Sequence, residues 1–134
     1  MFPFEFTFDG PPISLQSKNK TRKRAYMQNI AAIASQKIPQ GYVLSTDQLE
    51  IKITYFHDGI YPDVDNIIKP IQDALVGVVY VDDNQIADSG SRRKDINGSY
   101  KVRNVSPCIL ESFAKGNDFI HVKIVNHVPS AEID

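Results

Sequence analysis

The stretch Tyr61-Pro62-Asp63-Val64-Asp65-Asn66-Ile67-Ile68-Lys69-Pro70-Ile71-Gln72-Asp73-Ala74-Leu75 decides how the chain is read. Just upstream, Leu49, Ile51, Ile53 and Tyr55 alternate with Glu50, Lys52 and Thr54, the period of a half-buried strand. Within the stretch the period changes. Ile67, Ile68, Ile71 and Leu75 recur at helical spacing, which predicts a helix over 66–76. In a regular helix Pro70 would clash with the carbonyl of Asn66, so a kink or a late start is expected. A short apolar run, Val78–Val81, follows Gly77 and leads into Asp82-Asp83-Asn84-Gln85-Ile86.

Outward from this centre, Phe4, Phe6 and Phe8 alternate with Glu5 and Thr7, a strand ended by Asp9-Gly10-Pro11-Pro12. From about Thr21, Tyr26, Ile30, Ile33, Ala34 and Lys37 fall at helical spacing until Pro39 and Gly41. On the other side, 92–96 and 99–103 flank Asn97-Gly98, the favoured two-residue hairpin turn. Ser106-Pro107 reads as N-cap and first helical residue, and Gly116 as the residue after the end, framing a helix over 107–115. Phe119–Val125 closes as a strand. The expected fold is a single α+β domain over 1–134, a mixed sheet with flanking helices in the order β-α-β-α-β-β-α-β. Residues 126–134 are expected to form a flexible tail.

The 134 residues suit one domain, and the aromatic content (seven Phe, six Tyr) is enough for a core without staples. The one cysteine, Cys108, excludes an internal disulfide and any paired-cysteine zinc or redox motif. The chain carries neither an apolar run of spanning length nor a signal-peptide start, and a cytoplasmic setting is expected. Net charge is only −1, yet it is segregated. Residues 10–46 carry a charge of +6, residues 47–88 a charge of −7, and residues 89–115 a charge of +4. A metal site working on a polyanion needs such an arrangement, carboxylates for the cation and bases for the phosphates around it. Charge blocks also arise as plain solvated faces.

Asp63 and Asp65 lie between a strand and a helix, two apart, and Asp65 shares a helix face with Lys69 at i, i+4. Asp82 and Asp83 fall at a second strand end or turn. Several carboxylates in one place repel each other unless a cation compensates them. Oxygen-only ligation suits Mg²⁺ or Mn²⁺, which can polarise a phosphate and acidify an attacking water. Lys69 beside them can contact the phosphate. Equally, by spacing alone, Asp63 can cap a helix and Asp65–Lys69 can be a surface pair contributing well under ~1 kcal/mol.

The pattern Asp63-x-Asp65-Asn66-x-x-Lys69, then Asp73-Ala74-Leu75, then Asp82-Asp83-x-Gln85-Ile86 resembles the RusA-type Holliday junction resolvases of bacteria and phages. The opening Gly10-Pro11-Pro12 with its basic sequel is similar too, and the likeness runs from about Phe4 to Val125. It implies a small, homodimeric, Mg²⁺-dependent endodeoxyribonuclease that resolves four-way DNA junctions by paired nicks, with no organic cofactor and no membrane. It also implies Asp63, Asp65 and Asp83 as metal ligands, Asp82 as a helper, and Lys69 as the catalytic lysine. Two alternatives stand beside it. One is a non-catalytic branched-DNA-binding or dimerisation module of the same fold; the other is a Mg²⁺-dependent phosphodiesterase on other substrates.

For DNA contact the candidates are Lys18, Lys20, Arg22, Lys23 and Arg24, at the mouth of the first helix, and Arg92, Arg93 and Lys94 on the hairpin, with Lys101 and Arg103 beyond it. His57 is a runner-up ligand or base that, standing alone, reads as structural; His121 and His127 read as structural, Cys108 as core packing, and Asp73 could face either the site or solvent.

Overall fold

The computed structural model describes residues 1–13, 18–59, 67–97 and 106–129. Within them the order is β1 (Phe4–Asp9), α1 (Lys20–Lys37), β2 (Leu49–His57), α2 (Ile68–Leu75), a 3-10 turn (Asp83–Gln85), β3 (Ile86–Asp95), α3 (Pro107–Lys115) and β4 (Phe119–Asn126). The four strands form one sheet in the order β1-β4-β2-β3. β4 pairs antiparallel with both β1 and β2, while β2 and β3 run parallel. This is the mixed α+β sheet that the periodicities predict.

Period-two patterning sorts each strand into two faces. Phe6, Val122 and Ile53 form one cross-strand row, and Phe4, Ile124 and Ile51 another. These rows are buried, and α1 and α2 cover them with Ile30, Ala34, Ile71, Ala74 and Leu75. Burying each such side chain contributes roughly 1.5–3 kcal/mol, so this face holds the main core. The opposite face carries α3. Phe113 of α3 packs edge-on against Phe56 and Phe119, whose own rings stack 4.5 Å apart.

α2 starts late, at Ile68. Pro70 thus falls in its first turn, where the N–H that proline lacks has no helical partner in any case. Val78–Val81 forms no strand; Tyr80 makes only isolated bridges to Ser45 and Val76. The chain reverses there through Gly77, whose φ of 80° lies in the left-handed region that glycine enters freely. The first arm of the expected hairpin, up to Asp95, forms the end of a longer strand, β3, and its second arm, 99–103, lies outside the described residues. At the far end, β4 runs on to Asn126, and the next two residues are held to β2. His127 N–H donates to the Gln48 carbonyl at 2.9 Å, and His127 Nδ1 stands 2.8 Å from Glu50 Oε2. Val128 N–H reaches Glu50 Oε2 at 3.4 Å, so the first residues of the expected tail lie against the sheet, while 130–134 lie outside the described residues.

Candidate active site

A parallel pair of strands needs a crossover, and here that crossover carries the chemistry. β2 connects to β3 through 60–66, α2, the reversal at Gly77 and the 3-10 turn. The reversal lays 76–81 back along α2, and Tyr80 Oη donates to the Gln72 carbonyl at 2.6 Å. The 3-10 turn is thereby set beside the first turn of α2. Lys69 Nζ donates to Asp83 Oδ2 in a very short bond and forms an ion pair with Asp73 at 3.0 Å. The two halves of the sequence motif meet in that contact.

The electrostatics follow from the cluster. Lys69 is pushed up to about 12, first by its bond to Asp83 and then by Asp73. Asp83 is held below the usual carboxylate range, first by Lys69 and then by the Asp82 side chain. Burial, with help from the Asp83 and Asp73 carboxylates beside Lys69, pushes the Tyr80 phenol well up. These two carboxylates keep Lys69 protonated at neutral pH.

Asp82 caps the 3-10 turn, accepting from Asn84 N–H at 3.1 Å. Gln85 locks the turn. Its Oε1 accepts from the N–H groups of Val81 and Asp82, both at 3.0 Å, and its Nε2 donates to the carbonyls of Ser45 (2.8 Å) and Asp47 (2.9 Å). The role of Gln85 was not read from the sequence, although an Asp followed three residues later by Gln is the signature of a capping box. Asp73, open between two roles, is a partner of Lys69.

Asp63 and Asp65 lie outside the described residues. Asp73, Asp82 and Asp83 alone do not bring three ligand atoms together among the described residues. The oxygen-only donors that are described suit a hard cation in kind.

The bases are distributed in two regions. Lys18, Lys20, Arg22 and Arg24 are exposed and Lys23 is half-exposed, all at the start of α1, where Asn19 caps the helix by accepting from Arg22 N–H at 3.0 Å. In β3 the run Arg92-Arg93-Lys94 splits. Arg92 pairs in register with Thr54 and Lys94 with Phe56, on the face bearing α3, whereas Arg93 pairs with Tyr55 on the face of α1 and α2. Arg92 joins Lys52, Thr54, His121 and Lys123 around a shallow depression of about 270 Å³. Lys52 and Lys123 were not singled out in the sequence, because only the strand register brings them beside Arg92. Lys101 and Arg103 lie outside the described residues.

A mixed-sheet α+β domain whose crossover seats a lysine against a two-aspartate turn is consistent with a RusA-like fold. The model of the family Endodeoxyribonuclease RusA matches residues 14–103, well over half of the chain, and the chain belongs to that family. It is accordingly an endodeoxyribonuclease of the Holliday junction type, in a family whose resolvases generally depend on a divalent metal. No curated protein matches the chain. Among the described residues no helix is long and apolar enough to cross a membrane.

Proposed function

We propose that this protein resolves four-way DNA junctions by paired, Mg²⁺-dependent nicks, acting as a homodimer. The observation that carries the reading is the Lys69–Asp83 bond, which joins the lysine of the first half-motif to the aspartate of the second. Asp63, Asp65 and Asp83 would hold the cation, with Asp82 beside them. When bound, a hard divalent cation supplies charge to polarise the scissile phosphate and to acidify the attacking water. Lys69 keeps its proton and supports the negative charge that develops on the phosphate in the transition state. Gln85 keeps Asp82 and Asp83 on their turn, so that no rearrangement is needed at the moment of reaction.

The bases at the start of α1 support DNA binding on energetic grounds. Cations at a helix N-terminus oppose the helix dipole, each by roughly 0.3–1 kcal/mol at low ionic strength. Five of them crowd this end, and the first turn holds no acid. A polyanion held there reverses the sign of that interaction. Lys52, Arg92 and Lys123 offer a second basic surface, which we assign to a junction arm.

The decisive experiment compares wild type with Asp65→Asn on a synthetic four-way junction, with and without Mg²⁺. The variant should lose cleavage and keep or tighten junction binding, since neutralising a carboxylate removes repulsion for phosphate. Full cleavage by Asp65→Asn at saturating Mg²⁺ would refute the site.

A further inference from the structure

On the sheet face away from the main core, three donors of different chemistry converge from distant parts of the chain. Glu5 lies on β1, His121 on the neighbouring β4, and Cys108 in the first turn of α3. One ligand atom from each lies within 4.8 Å of the other two, and His121 Nε2 stands 3.3 Å from Glu5 Oε1. The convergence has a structural cause. His121 is the register partner of Thr7, two residues from Glu5 on the same strand face. Thr7 Oγ1 and Ser112 Oγ share a hydrogen bond of 2.8 Å, which seats α3 on β1. Cys108 precedes Ser112 by one helical turn, so it faces the sheet over Glu5 and His121. His121 is 7% exposed, and this buried imidazole has no part in the proposed nuclease chemistry.

We propose that Glu5, Cys108 and His121 form a binding site for a borderline-soft divalent cation of the Zn²⁺ class, separate from the acidic centre at Asp83. A tetrahedral zinc ion takes nitrogen and oxygen at roughly 2.0–2.2 Å and sulfur at about 2.3 Å, which sets its ligand atoms some 3.3–3.8 Å apart. The His121–Glu5 spacing already meets that requirement, and the Cys108 sulfur lies within 4.8 Å of both. A thiolate and a carboxylate offset the charge of the ion and the repulsion from the nearby cations Lys123 and Arg92. Thiolate and imidazole also select against Mg²⁺, so the two cation classes sort to different sites. Three protein donors leave one tetrahedral position for water or another donor. The ion would tie β1, β4 and α3 together, and because these donors are far apart in the unfolded chain, its binding favours the folded state.

The test uses the whole protein, stripped of metal and kept reduced with a phosphine, and titrated with Co²⁺ as a spectroscopic stand-in. One equivalent should bind with a thiolate-to-cobalt charge-transfer band, and Zn²⁺ but not excess Mg²⁺ should displace it. Cys108→Ser and His121→Gln should abolish the band, and Asp83→Asn should leave it unchanged. On the unaltered protein, stoichiometric Zn²⁺ should slow alkylation of the single cysteine by roughly tenfold or more, with the rate restored by a chelator. It should also raise the melting temperature. The proposal is overturned if Zn²⁺ leaves alkylation unchanged, if the band survives His121→Gln, or if Asp83→Asn removes it.

Discussion

Lys69 shows how one side chain can be read from its surroundings. Its ammonium lies between Asp83 and Asp73, and its pKa is raised to about 12. A raised lysine pKa stabilises the fold below the unfolded value near 10.4 and loses that contribution as pH climbs through 12. The pH–rate profile of cleavage should therefore show no alkaline limb from this group below about pH 10. A limb near pH 8 that disappears in Lys69→Arg would contradict the role of fixed cation. Lys69→Ala should slow single-turnover cleavage by about 100- to 1,000-fold, the range for losing one preorganised donor. Gln85→Ala acts differently, since it removes four hydrogen bonds from the turn and no candidate ligand. It should cost about 1–3 kcal/mol in urea unfolding. The Mg²⁺ concentration for half-maximal cleavage should rise by roughly 10- to 100-fold. An unchanged Mg²⁺ requirement would mean that the turn holds its shape without Gln85.

Among the elements, those with a clean period were legible in the sequence. Phe4, Phe6 and Phe8, and Leu49 to Tyr55, alternate because one face of the sheet is covered by helices. Pro107 and Gly116 mark both ends of α3 through local backbone preferences. β3 was legible only in part, because Ile86–Asp95 is almost entirely outside the core and its pattern carries no apolar face. Of the acidic centre, Lys69 and Asp83 are found in contact, as their shared motif suggested, and Gln85 carries a capping-box spacing whose reach to Ser45 and Asp47 no local pattern encodes. The basic depression and the Glu5–Cys108–His121 cluster depend on pairing between residues up to 116 positions apart, which no local pattern encodes. α1 offers the sharpest test at this scale. Replacing Arg22, Lys23 and Arg24 with Ala removes cations that oppose the dipole, so thermal stability should hold or rise slightly. Junction affinity should fall, and the slope of log K against log salt should flatten by up to about three units. A triple variant that binds normally with an unchanged slope would leave these bases as a solvated helix end.

The whole molecule must answer to the symmetry of its substrate. A four-way junction presents two equivalent strands related by a two-fold axis, and paired nicks require a site for each. A single chain of 15.1 kDa with one acidic centre provides one. A two-fold homodimer provides both, because each surface patch recurs once about the axis. Sizing by light scattering should therefore give about 30 kDa, free and on junction DNA, by that symmetry. A functional test separates pairing in solution from pairing of cuts. In mixed dimers of one wild-type and one Asp65→Asn subunit, only one site is active. Such dimers should bind the junction with normal affinity and nick one strand, leaving the opposite strand intact over a single turnover. Product analysis on a junction labelled on both candidate strands reads this directly. If mixed dimers release fully resolved duplexes at the wild-type rate, one site visits both strands in turn, and the two-site account fails even for a stable dimer. If the protein stays monomeric on the junction yet cuts both strands, the dimer itself is excluded.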